Sequence, residues 1–264
     1  MEPRIEIASW NVNGIRARLD GLKAWLGQNP VDVLCVQETK ASNDVFPVSV
    51  FEQMGYASIV HGQKSYNGVA LLVKDSLLVD RVQADVVCGL AGDDQARLVG
   101  ATIGGIRVFS AYFPNGQAVG ADKYVYKLKW IEGVTELMAR EVGNSKEVVL
   151  CGDFNIAPEP VDTHDPSIWE GKILCSDAER ASLGGLRAVG FHDAYRLVHP
   201  SVTVYTWWDY RGMAFAKNHG LRIDHVCVTD ALVPRVLSVD VDVRPRSWEQ
   251  PSDHAPVVLG LRGL

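Results

Sequence analysis

Acids, amides and a histidine recur where the apolar runs of this chain begin or end. Ser9-Trp-Asn-Val-Asn13 closes one run with Asn11 and Asn13, and Val33-Leu-Cys-Val-Gln-Glu38 closes another with Glu38. Glu147-Val-Val-Leu-Cys151 leads into Gly152-Asp-Phe-Asn155, so Asp153 and Asn155 stand at i and i+2 and, in an extended chain, share a face. Arg222-Ile-Asp224 opens a later run, and Ser252-Asp-His254 immediately precedes the last one. Taken singly, each border reads as ordinary: a turn at Asn11 to Gly14, a surface acid at Glu38, a strand exit at Gly152-Asp153, an Asp224 that merely pairs with Arg222. Taken together, they suggest sheet rims that converge on one polar site.

Such a set suits a hard divalent cation, which wants carboxylate oxygens; Mg²⁺ keeps several waters beside one or two protein carboxylates, a role open to Glu38 and one of the aspartates. No His-x-x-x-His motif or cysteine cluster points to zinc. Neither a Gly-x-Ser-x-Gly elbow nor a Walker-type phosphate loop occurs, so acyl transfer and nucleoside-triphosphate hydrolysis lose support. What is left is metal-assisted hydrolysis at phosphorus. It needs an activated water, charge stabilisation on the phosphoryl oxygens and help for the leaving oxygen.

The elements that must position these groups are legible as apolar runs: Ile5–Val12, Val31–Gln37, Val69–Val73, Val82–Val87, Leu98–Ile103, Ile106–Phe113, Val148–Cys151, Ile223–Val228 and Pro256–Leu261. Gly104-Gly105 between two of them predicts a tight hairpin turn. Tyr124, Leu128, Ile131, Thr135 and Met138 fall on one helical face, and Leu19, Leu22 and Leu26 suggest another helix. Ser176-Asp-Ala-Glu179 has the form of a capping box opening a helix through Leu183, Leu186 and Val189. Ala157 to Ile173, with Pro158, Pro160 and Pro166, reads as a loop. Strands interspersed with helices, with no linker or repeat, predict a single α/β domain over residues 1–264, two sheets face to face with helices outside.

Composition sets bounds on this reading. A net charge of −6 argues against a protein that coats nucleic acid nonspecifically, but leaves room for an enzyme with one local basic face. The five cysteines are scattered and form no CxxC pair, which predicts buried free thiols in a reducing cytoplasm. No leader and no membrane span are expected.

Eight motifs stand in the order of a known family: Trp10-Asn-Val-Asn-Gly-Ile-Arg-Ala17, Gln37-Glu-Thr-Lys40, Gly68-Val-Ala70, Ala111-Tyr-Phe-Pro-Asn115, Gly152-Asp-Phe-Asn-Ile-Ala-Pro158, Thr206-Trp-Trp-Asp-Tyr-Arg211, Gly220-Leu-Arg-Ile-Asp224 and Pro251-Ser-Asp-His-Ala-Pro256. The chain resembles, essentially end to end, the exonuclease III type of apurinic/apyrimidinic (AP) endonuclease, in the superfamily that includes deoxyribonuclease I. The resemblance implies a four-layered α/β sandwich of two packed mixed sheets flanked by helices, with the site at one end. It also implies Mg²⁺-dependent (or Mn²⁺-dependent) hydrolysis of the phosphodiester 5′ to an abasic site, leaving a 3′-hydroxyl, with some 3′→5′ exonuclease and 3′-phosphodiesterase activity. The implied substrate is double-stranded DNA with abasic sites or blocked 3′ ends, and a cytoplasmic monomer is expected.

Carried over by motif, Glu38 resembles the principal metal ligand, with Asn11 nearby, and Asp253 a second acid close to the metal or leaving group. Asp153 resembles the residue that orients or deprotonates the attacking water, Asn155 an amide donor to the phosphate, and Tyr112 the phenol that contacts it. His254 resembles the cation on the scissile phosphate, with Asp224 holding its ring, a pairing that favours imidazolium. Trp207, Leu221 and Ile223 are implied as the apolar pocket for an extruded, base-free sugar, which costs little to flip. Arg16, Lys40, Lys64, Asn67, Asn115, Arg211 and Lys217 are candidates for DNA-backbone contacts. Gln117 falls where some relatives insert a larger side chain into the duplex, and Asn13 where some carry an acid. Another metal-dependent phosphoesterase of the superfamily is the alternative enzyme. A catalytically inactive nucleic-acid binder is the alternative class, and retention of Glu38, Asp153, Asn155 and His254 counts against it.

Overall fold

The computed structural model describes residues 4–77 and 86–263. Among them the strands are β1 (Arg4–Asn11), β2 (Val33–Gln37), β3 (Tyr56–His61), β4 (Val69–Lys74), β5 (Val87–Cys88) and β6 (Leu98–Ile103). These are followed by β7 (Ile106–Tyr112), β8 (Val148–Asp153), β9 (Phe191–Asp193), β10 (Asp224–Thr229), β11 (Val236–Val241) and β12 (Val257–Arg262). They form two six-stranded sheets, ordered β11-β12-β1-β2-β4-β3 and β5-β6-β7-β8-β10-β9. Each sheet is centred on one parallel pair, β1 with β2 and β7 with β8, and every other pairing is antiparallel. The two sheets thus repeat one pairing pattern that the residues themselves do not repeat.

The central strands are wholly buried, which is why they read as continuous apolar runs. Ile7, Val33, Leu71, Val99, Val149 and Val226 pack between the sheets. On the outer face of the first sheet, α1 (Leu19–Gln28) and α2 (Val48–Glu52) bury Leu22, Trp25 and Phe51 against Trp10 and Leu34. On the outer face of the second, α3 (Asp122–Asn144) presents Trp130, Ile131, Val134 and Met138 to Phe109 and Leu150. After α4 (Pro166–Trp169), α5 (Asp177–Ala188) adds Leu183 and Leu186 to that layer, and α6 (Ala194–Val198) adds Tyr195 to the central one. Helix, sheet, sheet, helix is the four-layered α/β sandwich expected.

Local signals hold where the chemistry is local. Gly104 and Gly105 take φ of 57° and 86°, the positive values a hairpin turn requires. Ser176 Oγ accepts from the Glu179 amide at 3.3 Å and Glu179 Oε2 from the Ser176 amide at 3.0 Å, completing the capping box of α5. Of the five cysteines expected to be buried free thiols, Cys35, Cys151, Cys175 and Cys227 are so, but Cys88, on edge strand β5, is an exposed free thiol. Among the described residues no helix is long and apolar enough to cross a membrane.

Three strands, β3, β9 and β11, were not among the expected runs. All lie on sheet edges and are partly exposed, so their sequences carry less apolar bias. Of the run over Val82–Val87, residues 82–85 lie outside the described residues, and Val87 opens β5. The segment from Ala157 to Ile173 is loop apart from a 3₁₀ turn at Pro160–Asp162 and the single turn of α4. Its anchor is Asp162, wholly buried, which accepts from Arg222 Nε at 2.6 Å and Nη2 at 3.2 Å and from Arg196. Arg222 also pairs with Asp193 at 2.8 Å, so its partners are these two acids and not Asp224.

Candidate active site

Topology brings the polar borders to one end of the sandwich. β1 and β2 run parallel and end together, with Asn11 opposite Gln37, next to Glu38. β7 and β8 also run parallel, with Tyr112 opposite Asp153. β10 runs against β8, so its first residue, Asp224, lies opposite the last of β8, Asp153. β12 runs against β1, which places His254, just before β12, at the same rim.

Glu38 (φ 50°) and Asn155 (φ 50°) are held in the left-handed region at strand exits, where non-glycine residues are uncommon and strain gathers at working sites. Backbone bonds from Gly14 to the Glu38 carbonyl (2.7 Å) and from Lys40 to the Asn67 carbonyl (2.9 Å) lace these loops together. Gly152 is a glycine because a Cβ there would lie 1.8 Å from the Ala111 carbonyl oxygen. That close approach of β7 sets Asp153 beside Tyr112.

The side chains then interlock. Asn11 Nδ2 donates to Glu38 Oε1 and Asp153 Oδ2, each at 2.9 Å. Asn155 Nδ2 donates to the Phe113 carbonyl at 3.0 Å and to Asp153 Oδ2 at 3.2 Å, and Asn115 Nδ2 donates to Asn155 Oδ1 at 3.0 Å. His254 Nδ1 lies 2.8 Å from Asp224 Oδ2, and its Nε2 faces Asp153 Oδ2 at 3.7 Å, beyond a direct hydrogen bond. Lys40 reaches Glu38 Oε2 at 3.0 Å and also donates to Asn13.

These contacts set the charge states. Burial pushes the Asp153 carboxyl well above the usual carboxylate range; the His254 charge opposes this, and the Asp224 and Glu38 charges add to it. Burial alone would lower His254, but Asp224 and Asp153 hold its imidazolium and raise it well above the ordinary histidine value. Tyr112 is pushed well up by burial and by the charges of Glu38 and Asp153, so its phenol is neutral and able to donate; Arg97 lies over its ring at 4.8 Å.

Glu38, Asp153 and His254 each offer a ligand atom within 4.8 Å of the others. Two carboxylates with a neighbouring carboxamide, Asn11, fit a hard divalent cation better than a soft one. Asp253, expected close to the metal or the leaving group, is not one of these three residues. Its Oδ1 accepts from Asn13 Nδ2 and its Oδ2 from Trp207 Nε1, both at 2.9 Å. Those bonds and the His254 charge keep it below the usual range despite its burial.

The outer residues divide. Tyr112, Asn115 and Gln117 line a cleft of about 660 Å³ with Tyr66, Arg97 and Lys123. Arg16, Lys40 and Lys64 line a second, of about 270 Å³. Arg211 is exposed and its guanidinium is engaged by Asp209 at 2.6 Å. Leu221 and Ile223 do not line an open pocket: at 0% and 2% exposure they pack with Ala157, Leu174 and Cys175, against Trp207, Ile173 and Trp169.

Two residues that serve the site were given no role from the sequence. Thr206, the first residue of the Thr206–Arg211 motif, accepts through Oγ1 from the Ile223 and Asp224 amides, both at 3.0 Å. Lys127 is wholly buried behind Asn155. A lysine on the face of α3 that carries Tyr124 and Ile131 was a legible signal.

The pattern of the endonuclease/exonuclease/phosphatase family matches residues 8–254. Exodeoxyribonuclease III of Haemophilus influenzae is 33% identical, the match covering 96% of this chain and 98% of the relative. A 3′ phosphatase from Neisseria, solved with a product DNA hairpin, superposes with a TM-score of 0.92 at 41% identity, over 97% of this chain and 98% of that one. An AP endonuclease from Archaeoglobus fulgidus gives a TM-score of 0.90 at 37% identity, over the same shares of each chain, 97% and 98%.

Proposed function

Because this chain belongs to the endonuclease/exonuclease/phosphatase family, we propose that it is a metal-dependent DNA repair nuclease that hydrolyses the phosphodiester 5′ to abasic sites and clears blocked 3′ ends, leaving a 3′-hydroxyl. Within the family it is of the exonuclease III type. The observation that carries the reading is the convergence of Glu38, Asp153 and His254 beside the His254–Asp224 pair.

In this reading Glu38, with Asn11 adjoining, holds Mg²⁺, which when bound supplies positive charge to the phosphoryl oxygens. Asp153 orients the attacking water and takes its proton; burial has raised its proton affinity, which suits a general base working near neutral pH. His254, kept cationic by Asp224, and the Asn155 amide face the charge that develops on phosphorus. The neutral Tyr112 phenol donates to the same oxygens. Asp253 serves at one remove, fixing Trp207 and Asn13. The substrate is double-stranded DNA, gripped through Arg97 and Lys123 of one cleft and Arg16, Lys40 and Lys64 of the other, and the enzyme works as a cytoplasmic monomer.

A second reading is favoured by the burial of Leu221 and Ile223. With Leu221 and Ile223 buried beside Trp207, 3′-end processing would outrank incision at an internal abasic sugar. One experiment tests both. The protein is incubated with Mg²⁺ and end-labelled duplexes carrying an internal tetrahydrofuran abasic analogue, a 3′-phosphate, a recessed 3′ end or no lesion. Incision at the analogue supports the first reading, and removal of the 3′-phosphate with the analogue left intact supports the second. No metal-dependent reaction on any duplex overturns both. Asp153→Ala is expected to lose about 10²-fold or more in turnover with the fold retained.

A further inference from the structure

A lysine without solvent access is an expensive way to fill space, since a buried ammonium costs several kcal/mol unless every donor is paired. Lys127 has 0% side-chain exposure, and all three of its donors are spent. Its Nζ donates to the Asn155 carbonyl at 2.7 Å, to Glu179 Oε1 at 2.5 Å and to the Asn115 carbonyl at 3.3 Å. The two carbonyls belong to the residues whose carboxamides stand at the site, Asn155 against Asp153 and Asn115 against Asn155.

The counter-ion is equally committed. Glu179, also at 0%, accepts from the Leu174 amide at 3.1 Å through Oε1, and from the Ser176 amide (3.0 Å) and hydroxyl (2.7 Å) through Oε2. Tyr124, one turn before Lys127 on α3, closes the set with its hydroxyl 2.6 Å from Ser176 Oγ. The pair therefore ties the N-terminus of α5 through α3 to two loops at the end of the second sheet. Asn155 has particular need of such a hold, because its φ of 50° is a conformation an asparagine keeps only when its surroundings impose it.

We infer that Lys127 is a positioning residue of the reaction: by gripping the Asn155 and Asn115 carbonyls it fixes their carboxamides beside Asp153, so that the Asn155 N–H held by Asp153 Oδ2 at 3.2 Å is in place to turn to the phosphate, and Glu179 serves to keep that cation buried. The inference rests on the reading above, in which Asn155 is a donor to the phosphoryl oxygens. A pair that only stabilised the fold would lower stability and leave the contribution of Asn155 untouched. A positioning pair makes that contribution depend on Lys127.

The test is a double-mutant cycle on the duplex the wild-type enzyme processes fastest, with kcat and KM measured separately. Lys127→Met is made together with Glu179→Gln, so that no unpaired charge is left in the core. The expected result is a fall in kcat of about 10- to 100-fold with KM changed less than about threefold, since a transition-state donor has been misaimed. Asn155→Ala should then cost at least about tenfold less in the double variant than in the wild type, because the donor it removes is already displaced. An equal cost in both backgrounds overturns the inference, as does a double variant with unchanged kcat. If the double variant does not fold, Lys127→Arg decides. That substitution keeps the cation and the carbonyl contacts in altered geometry, and coupling with Asn155→Ala is expected again; strict additivity overturns the inference. Lack of reaction by the wild-type protein on every duplex would instead sink the nuclease reading itself.

Discussion

Thr206→Val changes almost no volume and removes one oxygen, which makes it a sharp probe of how the His254–Asp224 pair is held. Thr206 is wholly buried. Its Oγ1 accepts from the Ile223 and Asp224 amides at 3.0 Å each, while its carbonyl accepts from the Ala255 amide at 2.7 Å. It thus grips the chain on both sides of the pair, next to Asp224 and next to His254. A valine leaves two buried N–H groups without an acceptor, each at about 1–3 kcal/mol, or about 2–6 kcal/mol together. Against a total stability of about 5–15 kcal/mol this is a large loss, and at about 2–4 °C per kcal/mol it corresponds to a fall in Tm of about 4–24 °C. Thr206→Ser keeps the oxygen and loses one methyl, for about 0.5–1.5 kcal/mol. Catalytically, a shift of about 1 Å in Asp224 frees the His254 ring and is expected to reduce kcat by about 10²-fold. Urea unfolding followed by tryptophan fluorescence gives the stability, and initial rates on the preferred duplex give kcat. Valine within about 0.5 kcal/mol of wild type, or serine as damaging as valine, would refute the reasoning.

Glu38→Gln keeps the shape of the proposed ligand and removes its charge, so the Mg²⁺ concentration for half-maximal activity is expected to rise by about tenfold or more; an unchanged Mg²⁺ titration would remove Glu38 from the metal site. His225 predicts an acid sensitivity of the fold. Its Nε2 lies 2.8 Å from the Ile156 carbonyl and its Nδ1 3.1 Å from Arg222 Nη1, and burial followed by the Arg222 charge lowers its proton affinity. The folded state therefore keeps it neutral, while the unfolded chain takes up a proton near pH 6.5. Stability is then full above about pH 6.5 and falls as pH drops towards the depressed folded value, by at most about 1.4 kcal/mol per pH unit. Urea midpoints of wild type and His225→Gln between pH 7.5 and 5 should converge towards acid, and parallel curves would contradict this.

Much of the architecture was readable because it rests on short-range physics. Buried central strands must be continuously apolar, so β1, β2, β4, β6, β7, β8, β10 and β12 declared themselves, as did the Ser176–Glu179 cap and the Gly104-Gly105 turn. The acids and amides at strand borders were visible for the same reason: a polar residue ending an apolar run is a local anomaly. Edge strands such as β11, half in water, carry no such signature.

Residue order alone could not say which charge meets which. Arg222 and Asp224 stand two apart on an extended segment, yet Arg222 pairs with Asp162 across the loop and Asp224 with His254 at the start of another strand. The family resemblance implied an apolar pocket at Trp207, Leu221 and Ile223, and in the fold Leu174, arriving from a distant segment, packs with buried Leu221 and Ile223 while Trp207 stays partly exposed. The position of Lys127 on the apolar face of α3 marked it as buried, but only the fold lays it over two loop carbonyls. The types of group available to the site were written in the sequence. Their protonation, partners and exposure were decided by segments remote in sequence that came within a few ångströms, because burial and Coulomb forces act through space and not along the chain.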